Sequence, residues 1–163
     1  MSALKNSRRH RRVAFVGLAI IALTISACGA AATPKPAGPT APAGPTTVDV
    51  TFQEWAIVPS VTDVKAGQVT FNAKNISTKE EHEMVVVKTD LGLFDLPKGS
   101  DGKVDEEGAG MMAVGEISET ATGASGTVTL DLAPGKYLLI CNIVDADGTA
   151  HYGSGMSTAF TVK

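Results

Sequence analysis

The sequence predicts an all-β fold, a Greek-key β-sandwich of about seven to eight strands. Three observations carry this expectation. Val, Thr, Phe and Ile gather in short runs separated by Gly, Pro, Asp and Asn, the pattern of strands punctuated by turns. Gln68-Val-Thr-Phe-Asn-Ala73 and Val128-Thr-Leu-Asp-Leu132 alternate polar and apolar residues, as half-buried strands do. Pro134-Gly135 then supplies a tight turn between two such runs.

In chain order the predicted strands begin with Val48–Phe52 and Trp55–Val58, both rich in β-branched and aromatic residues. Gln68–Lys74 follows on its alternation. His82–Lys88 opens with a histidine, and alternation puts Met84 and Val86 on the same face as that histidine. Thr127–Leu132 alternates again, Lys136–Cys141 emerges from the Pro-Gly turn, and Thr158–Val162 closes the set. Residues 89–116 break the rhythm. Pro97, Gly99, Gly102, Gly108 and Gly110 predict a long loop there, with room for one short helix. The acidic cluster from Asp101 to Glu107 reads as solvated surface.

The N-terminus reads as a targeting segment and is set apart from the fold. Lys5, Arg8, Arg9, Arg11 and Arg12 form a basic head without an acidic residue, and Val13 to Ala27 is apolar apart from Thr24 and Ser26. That apolar stretch is shorter than the roughly 20 residues that span a bilayer as a helix. It ends Leu23-Thr-Ile-Ser-Ala-Cys28, which resembles the lipobox of bacterial lipoproteins. The resemblance implies cleavage after residue 27, lipidation of Cys28, and an extracytoplasmic domain anchored to the periplasmic or cell-surface side of the membrane. Residues 28–46 hold Pro34, Pro36, Pro39, Pro42 and Pro45 among Ala, Gly and Thr. Such a segment has little to bury and predicts a semi-rigid tether. Residues 47–163 are a usual size for one domain.

Loss of the five basic residues of the head leaves nine Lys and Arg against 17 Asp and Glu, a balance of −8. That argues against nucleic acid and anionic lipid as partners. It suits steering towards a basic partner, although solubility alone accounts for the acidity equally well.

Beyond the N-terminal segment the chain has two histidines, His82 and His151, and one cysteine, Cys141. Cys141, His151 and Met156 fall within sixteen residues of one another, between two strand-like runs, and His82 heads another. A thiolate, two imidazoles and a thioether are a soft ligand set; hard cations such as Mg²⁺ and Ca²⁺ take oxygen. Singly, each residue has a structural explanation: a buried core cysteine, a satisfied histidine, a gap-filling methionine. All four together, in this order, point to copper. Met111-Met112 offers two more thioethers, which a core or loop role explains.

Having these pieces, the domain resembles the cupredoxin family of type 1 blue copper proteins, in the membrane-tethered bacterial form of sulfocyanin, auracyanin and azurin-like lipoproteins. The resemblance rests on Gly67-Gln-Val-Thr-Phe71 with Asn75, on His82, on Gly135-Lys-Tyr-Leu-Leu-Ile-Cys141-Asn, on His151 and Gly155-Met156, and on Phe160-Thr-Val162. It implies one copper ion, cycling between Cu(I) and Cu(II), held by His82, Cys141, His151 and Met156. It also implies a monomeric electron carrier rather than an enzyme, serving redox proteins such as cytochromes or a terminal oxidase or reductase. The alternative is a copper storage or delivery protein handling Cu(I). A copper oxidoreductase would need a second metal centre, for which no residues stand out. Two departures from the family pattern are visible. Nine residues separate Cys141 from His151, more than in better-known members, and predict a polar lobe at 144–150. Glu83 stands where many relatives carry an Asn that pins the ligand loops together. The resemblance further implies that the free edge of His151 faces solvent.

Overall fold

Alternating burial along the chain sorts side chains into an inner and an outer face, and two sheets meet on the inner ones. The computed structural model describes residues 44–163. The targeting segment 1–27, Cys28 and nearly all of the 28–46 tether lie outside the described residues. Nine strands follow in order: β1 (Thr46–Gln53), β2 (Ala56–Pro59), β3 (Asp63–Val64), β4 (Gly67–Asn75), β5 (His82–Thr89), β6 (Met111–Thr120), β7 (Ser125–Leu132), β8 (Gly135–Ile140) and β9 (Ser157–Val162). One sheet has the order β2-β1-β4-β7 and the other β3-β9-β8-β5-β6. Both are mixed, because β1 runs parallel to β4 and β3 parallel to β9. Among the described residues there is no helix.

The space between the sheets is filled by alternate residues from both. Val48, Val50 and Phe52 of β1 and Val69, Phe71 and Ala73 of β4 meet Met84 and Val86 of β5, Leu139 of β8 and Phe160 of β9. Phe71 and Phe160 pack edge to face with ring centres 5.4 Å apart. Each of these side chains except Ala73 contributes about 1.5–3 kcal/mol by leaving water.

A second apolar cluster lies on the outer face of the five-stranded sheet. Val85, Val87, Leu138 and Ile140 point outward there and are covered by Leu96, Val104 and Tyr152. Strand β5 is therefore buried on both faces, which is why Met84-Val-Val-Val87 reads as one apolar run rather than an alternation.

The predicted loop at 89–116 needs correction at both ends of its logic. Its last residues already belong to β6, which pairs with β5 through two register shifts. Its earlier part is not merely a solvated surface. A bridge between Lys98 and Val104 folds it back on itself, and Leu96 and Val104 are buried within it. Trp55, predicted to open a strand, instead sits in the turn between β1 and β2 with a positive φ of 61°.

Candidate metal centre

Three potential ligand atoms converge at one end of the sandwich. His82 is the first residue of β5, and Cys141 is the residue after β8. Those strands are hydrogen-bonded neighbours, with Val85 opposite Ile140. The pairing brings the imidazole and the thiol to the same sheet end. His151 arrives from the connection between β8 and β9. Its Nδ1 lies 3.3 Å from His82 Nδ1 and 3.3 Å from Cys141 Sγ. His82, Cys141, His151 and Met156 are all fully buried, each 0 % exposed.

Backbone bonds fix the downstream residues. Cys141 N–H donates to Met156 O at 3.1 Å, Met156 N–H to His151 O at 3.1 Å and His151 N–H to Ile143 O at 2.9 Å. Gly155 precedes Met156 with a φ of 121°, a conformation that side-chain-bearing residues rarely adopt. A Cβ there would also come within 3.3 Å of Trp55 O.

The lobe at 144–150 folds as the sequence predicts, as a turn. Val144 bridges Ala150, and Asp145 N–H donates to Thr149 O at 2.9 Å. Its effect on His151 is the opposite of the expected exposure. The free edge of the ring does not face solvent: Nε2 lies 3.0 Å from Asp145 Oδ2, and Trp55 stands edge-on to the ring at 5.1 Å. The longer connection reaches back over the histidine and covers it. Trp55 is thus a residue of the site that pattern reading did not assign to it, and Asp145, within the lobe expected beside His151, binds the ring directly.

Glu83 supplies the link that its departure from the family pattern left open. Its carboxylate accepts the Asn142 N–H at 2.9 Å, and its own N–H donates to Cys141 Sγ at 3.5 Å. The Asn142 side chain in turn accepts from Val104 N at 2.6 Å and donates to Val104 O and Glu106 Oε1. Asn75 holds the approach to His82: its amide donates to Thr120 O and Glu80 O and its oxygen accepts from Ser77 N.

Burial governs the protonation of the protein alone. It pushes the Cys141 thiol up to about 12, against the partial relief of the Glu83 N–H. It also pulls His82 down to about 4, with the neighbouring His151 adding to the effect. The site thus combines a neutral imidazole, a second imidazole whose Nε2 is taken by a carboxylate, and a thiol that only a cation would deprotonate.

No protein-family model matches the chain, and no curated protein sequence does. The likeness to solved structures is clear. Reduced auracyanin from the photosynthetic bacterium Roseiflexus castenholzii is 22 % identical, with a TM-score of 0.53 over 72 % of this chain and 97 % of that one. Auracyanin A, described as a "blue" copper protein of Chloroflexus aurantiacus, is 24 % identical, with a TM-score of 0.52 over 74 % of this chain and all of that one. An azurin from Methylomonas sp. strain J is 15 % identical, with a TM-score of 0.50 over 72 % of this chain and 98 % of that one. At these identities the likeness establishes the fold, that of the cupredoxin β-sandwich.

Proposed function

We propose, from the cupredoxin fold and the donor set at its end, that this chain is a copper-binding electron-transfer protein of the cupredoxin family and not an enzyme. Its ligands are His82, Cys141, His151 and Met156. The observation that carries the reading is the fully buried cluster of His82 Nδ1, His151 Nδ1 and Cys141 Sγ, with His151 Nδ1 3.3 Å from each of the other two. Three ligand atoms around one ion with bonds of about 2.0–2.3 Å stand about 3.5–4 Å apart, so the cluster needs only a small expansion to hold one. Without an ion, His151 Nδ1 is the shared partner of both His82 Nδ1 and Cys141 Sγ, and His82 Nε2 is buried with no hydrogen-bond partner among the described residues. Hydrogen bonding alone therefore leaves this buried polar cluster incompletely satisfied.

Bound copper would supply one-electron chemistry, alternating between Cu(I) and Cu(II). The residues do the rest. The sheet fixes Cys141 and His82 on adjacent strands, so neither moves far when charge changes. Asp145 holds Nε2 of His151 and leaves its Nδ1 as the donor atom, the usual role of a carboxylate behind a metal-binding imidazole. Met156, fully buried in the same core cluster as Cys141, would offer the ion a weak thioether donor, and Met84 and Val86 of that cluster would keep water away. Burial of all four ligands supports electron carriage over the alternative, storage or delivery of Cu(I), because delivery requires the ion to leave readily.

The acidic domain serves basic redox proteins, among them cytochromes or a terminal oxidase or reductase, and works as a monomer. Cys28 carries a lipid that ties it to the extracytoplasmic face of the membrane. The test is optical. The full-length chain in detergent should take up one Cu(II) and turn intensely coloured by thiolate-to-copper charge transfer. Cys141→Ser should abolish the colour, and Met156→Leu should keep it while raising the reduction potential. A colourless copper complex in the wild type would overturn electron carriage in favour of copper delivery.

A further inference from the structure

With all four ligands at 0 % exposure, none offers electrons a direct contact with a partner. One side chain does both things required: Trp55 touches a ligand and reaches water. Its ring centre is 5.1 Å from that of His151, edge to face, and it is 38 % exposed. The backbone under it is notable. Trp55 has a φ of 61° and is the only described non-glycine residue with a positive value. Bulky side chains rarely adopt that conformation, and glycine would adopt it without strain. The large ring is therefore held at a position where local backbone preference argues against it, the kind of outlier that points to function.

The surroundings state what kind of molecule would approach. Glu54 adjoins Trp55 in the turn and accepts from Thr78. Carboxylate oxygens of Glu80 and Asp145 lie with the His151 ring nitrogen in one cluster, all within 4.8 Å of one another. Lys79 is the one cation next to these acids in the chain.

Resting on the copper electron-carrier reading, we infer that electrons enter and leave through Trp55. The indole and the carboxylates of Glu54, Glu80 and Asp145 form the docking surface for a one-electron carrier whose cofactor edge lies inside a basic rim. In one direction the partner's reduced centre gives up a single electron and the copper site takes it; the reverse step returns it. The indole provides the path and is neither oxidised nor reduced, and no proton or bond changes hands.

The probe is a reduced, basic c-type cytochrome mixed with the copper-loaded full-length chain in a stopped-flow instrument. Trp55→Gly suits the backbone and removes the ring, while Trp55→Phe keeps a smaller aromatic path. Trp55→Gly leaves every proposed ligand in place, so the charge-transfer band should persist. Because it opens the His151 edge to water, its potential is measured first and rates are compared at equal driving force. Electron transfer should then slow at least tenfold, with Trp55→Phe between it and the wild type. Glu54→Gln combined with Glu80→Gln should slow the reaction severalfold at low salt and have no effect at high salt, where screening removes steering. An unchanged rate in Trp55→Gly at equal driving force, with the colour retained, would overturn the route through the indole. A rate that is insensitive to salt would overturn the acidic docking surface. If the wild type itself lacks the colour, it is the copper reading that fails, and that outcome is visible before any rate is measured.

Discussion

Asp145→Asn keeps an oxygen opposite His151 Nε2 and removes only the charge, so it isolates the electrostatic part of that contact. The carboxylate oxygen is 3.0 Å from Nε2. Adding the width of the ring and a metal–nitrogen bond of about 2.0 Å puts the charge about 7 Å from an ion at Nδ1. At an effective dielectric near 20, one elementary charge at that distance is worth about 2.4 kcal/mol. The Asp145 side chain is 26 % exposed, so water and salt reduce this to about half. The negative charge favours Cu(II) over Cu(I), and losing it should therefore raise the potential by about 50 mV, taking 59 mV for each 1.4 kcal/mol in a one-electron couple. Spectroelectrochemical titration of the charge-transfer band reads this directly. Asp145→Ala, which removes the acceptor as well, should raise the potential similarly but also broaden the spectrum as the ring loses its anchor. A potential that falls, or one that does not move while the band stays sharp, would refute the assignment of Asp145 as the partner that sets His151's donor strength.

Two further outcomes test the fold and the anchor. Phe71→Ala should cost about 3–5 kcal/mol in a denaturant titration, since Phe71 is fully buried between the sheets and leaves a cavity against Phe160; a loss below about 1 kcal/mol would mean the sheets close over the gap. Cys28→Ala should move the protein from the membrane to the soluble fraction without changing its unfolding curve, and wild-type protein found intact from Met1 would remove the lipid anchor.

Strands with strict alternation, such as β4 and β7, were legible in the sequence, and so was the set His82, Cys141 and His151 whose donor atoms meet, because histidine and cysteine are scarce in this chain and fall at strand ends or in the connection between two strands. Most of the misses share a cause: they depend on contacts between residues distant in sequence. Strand β6 lacks a clean alternation because Gly115 and two register shifts interrupt it, and its pairing with β5 is what makes it a strand. Residues 89–110 carry loop composition, yet the apolar outer face of β5 and β8 requires a cover, and Leu96 and Val104 provide it. Trp55 has high strand propensity, and the turn overrides it. Nothing near His151 in the sequence indicates that Trp55, almost a hundred positions earlier, seals its ring. Glu83 was visible only as a departure from a pattern; its partnership with Asn142 shows that a carboxylate can do the same pinning.

The stem beneath the lobe carries a consequence for variation. The Val144–Ala150 bridge and the bond from His151 N–H to Ile143 O close the connection at its base. The turn beyond them can change in length without moving Cys141, His151 or Met156, and the entropic cost of a few added residues in such a closed loop is a fraction of a kcal/mol. Homologous chains are therefore free to lengthen or shorten this segment and, with it, to cover or uncover the histidine edge. The positions of His82 and Cys141 belong to the sheet end and the accessibility of His151 belongs to the turn, so, with Asp145 retained, the two properties are able to diverge.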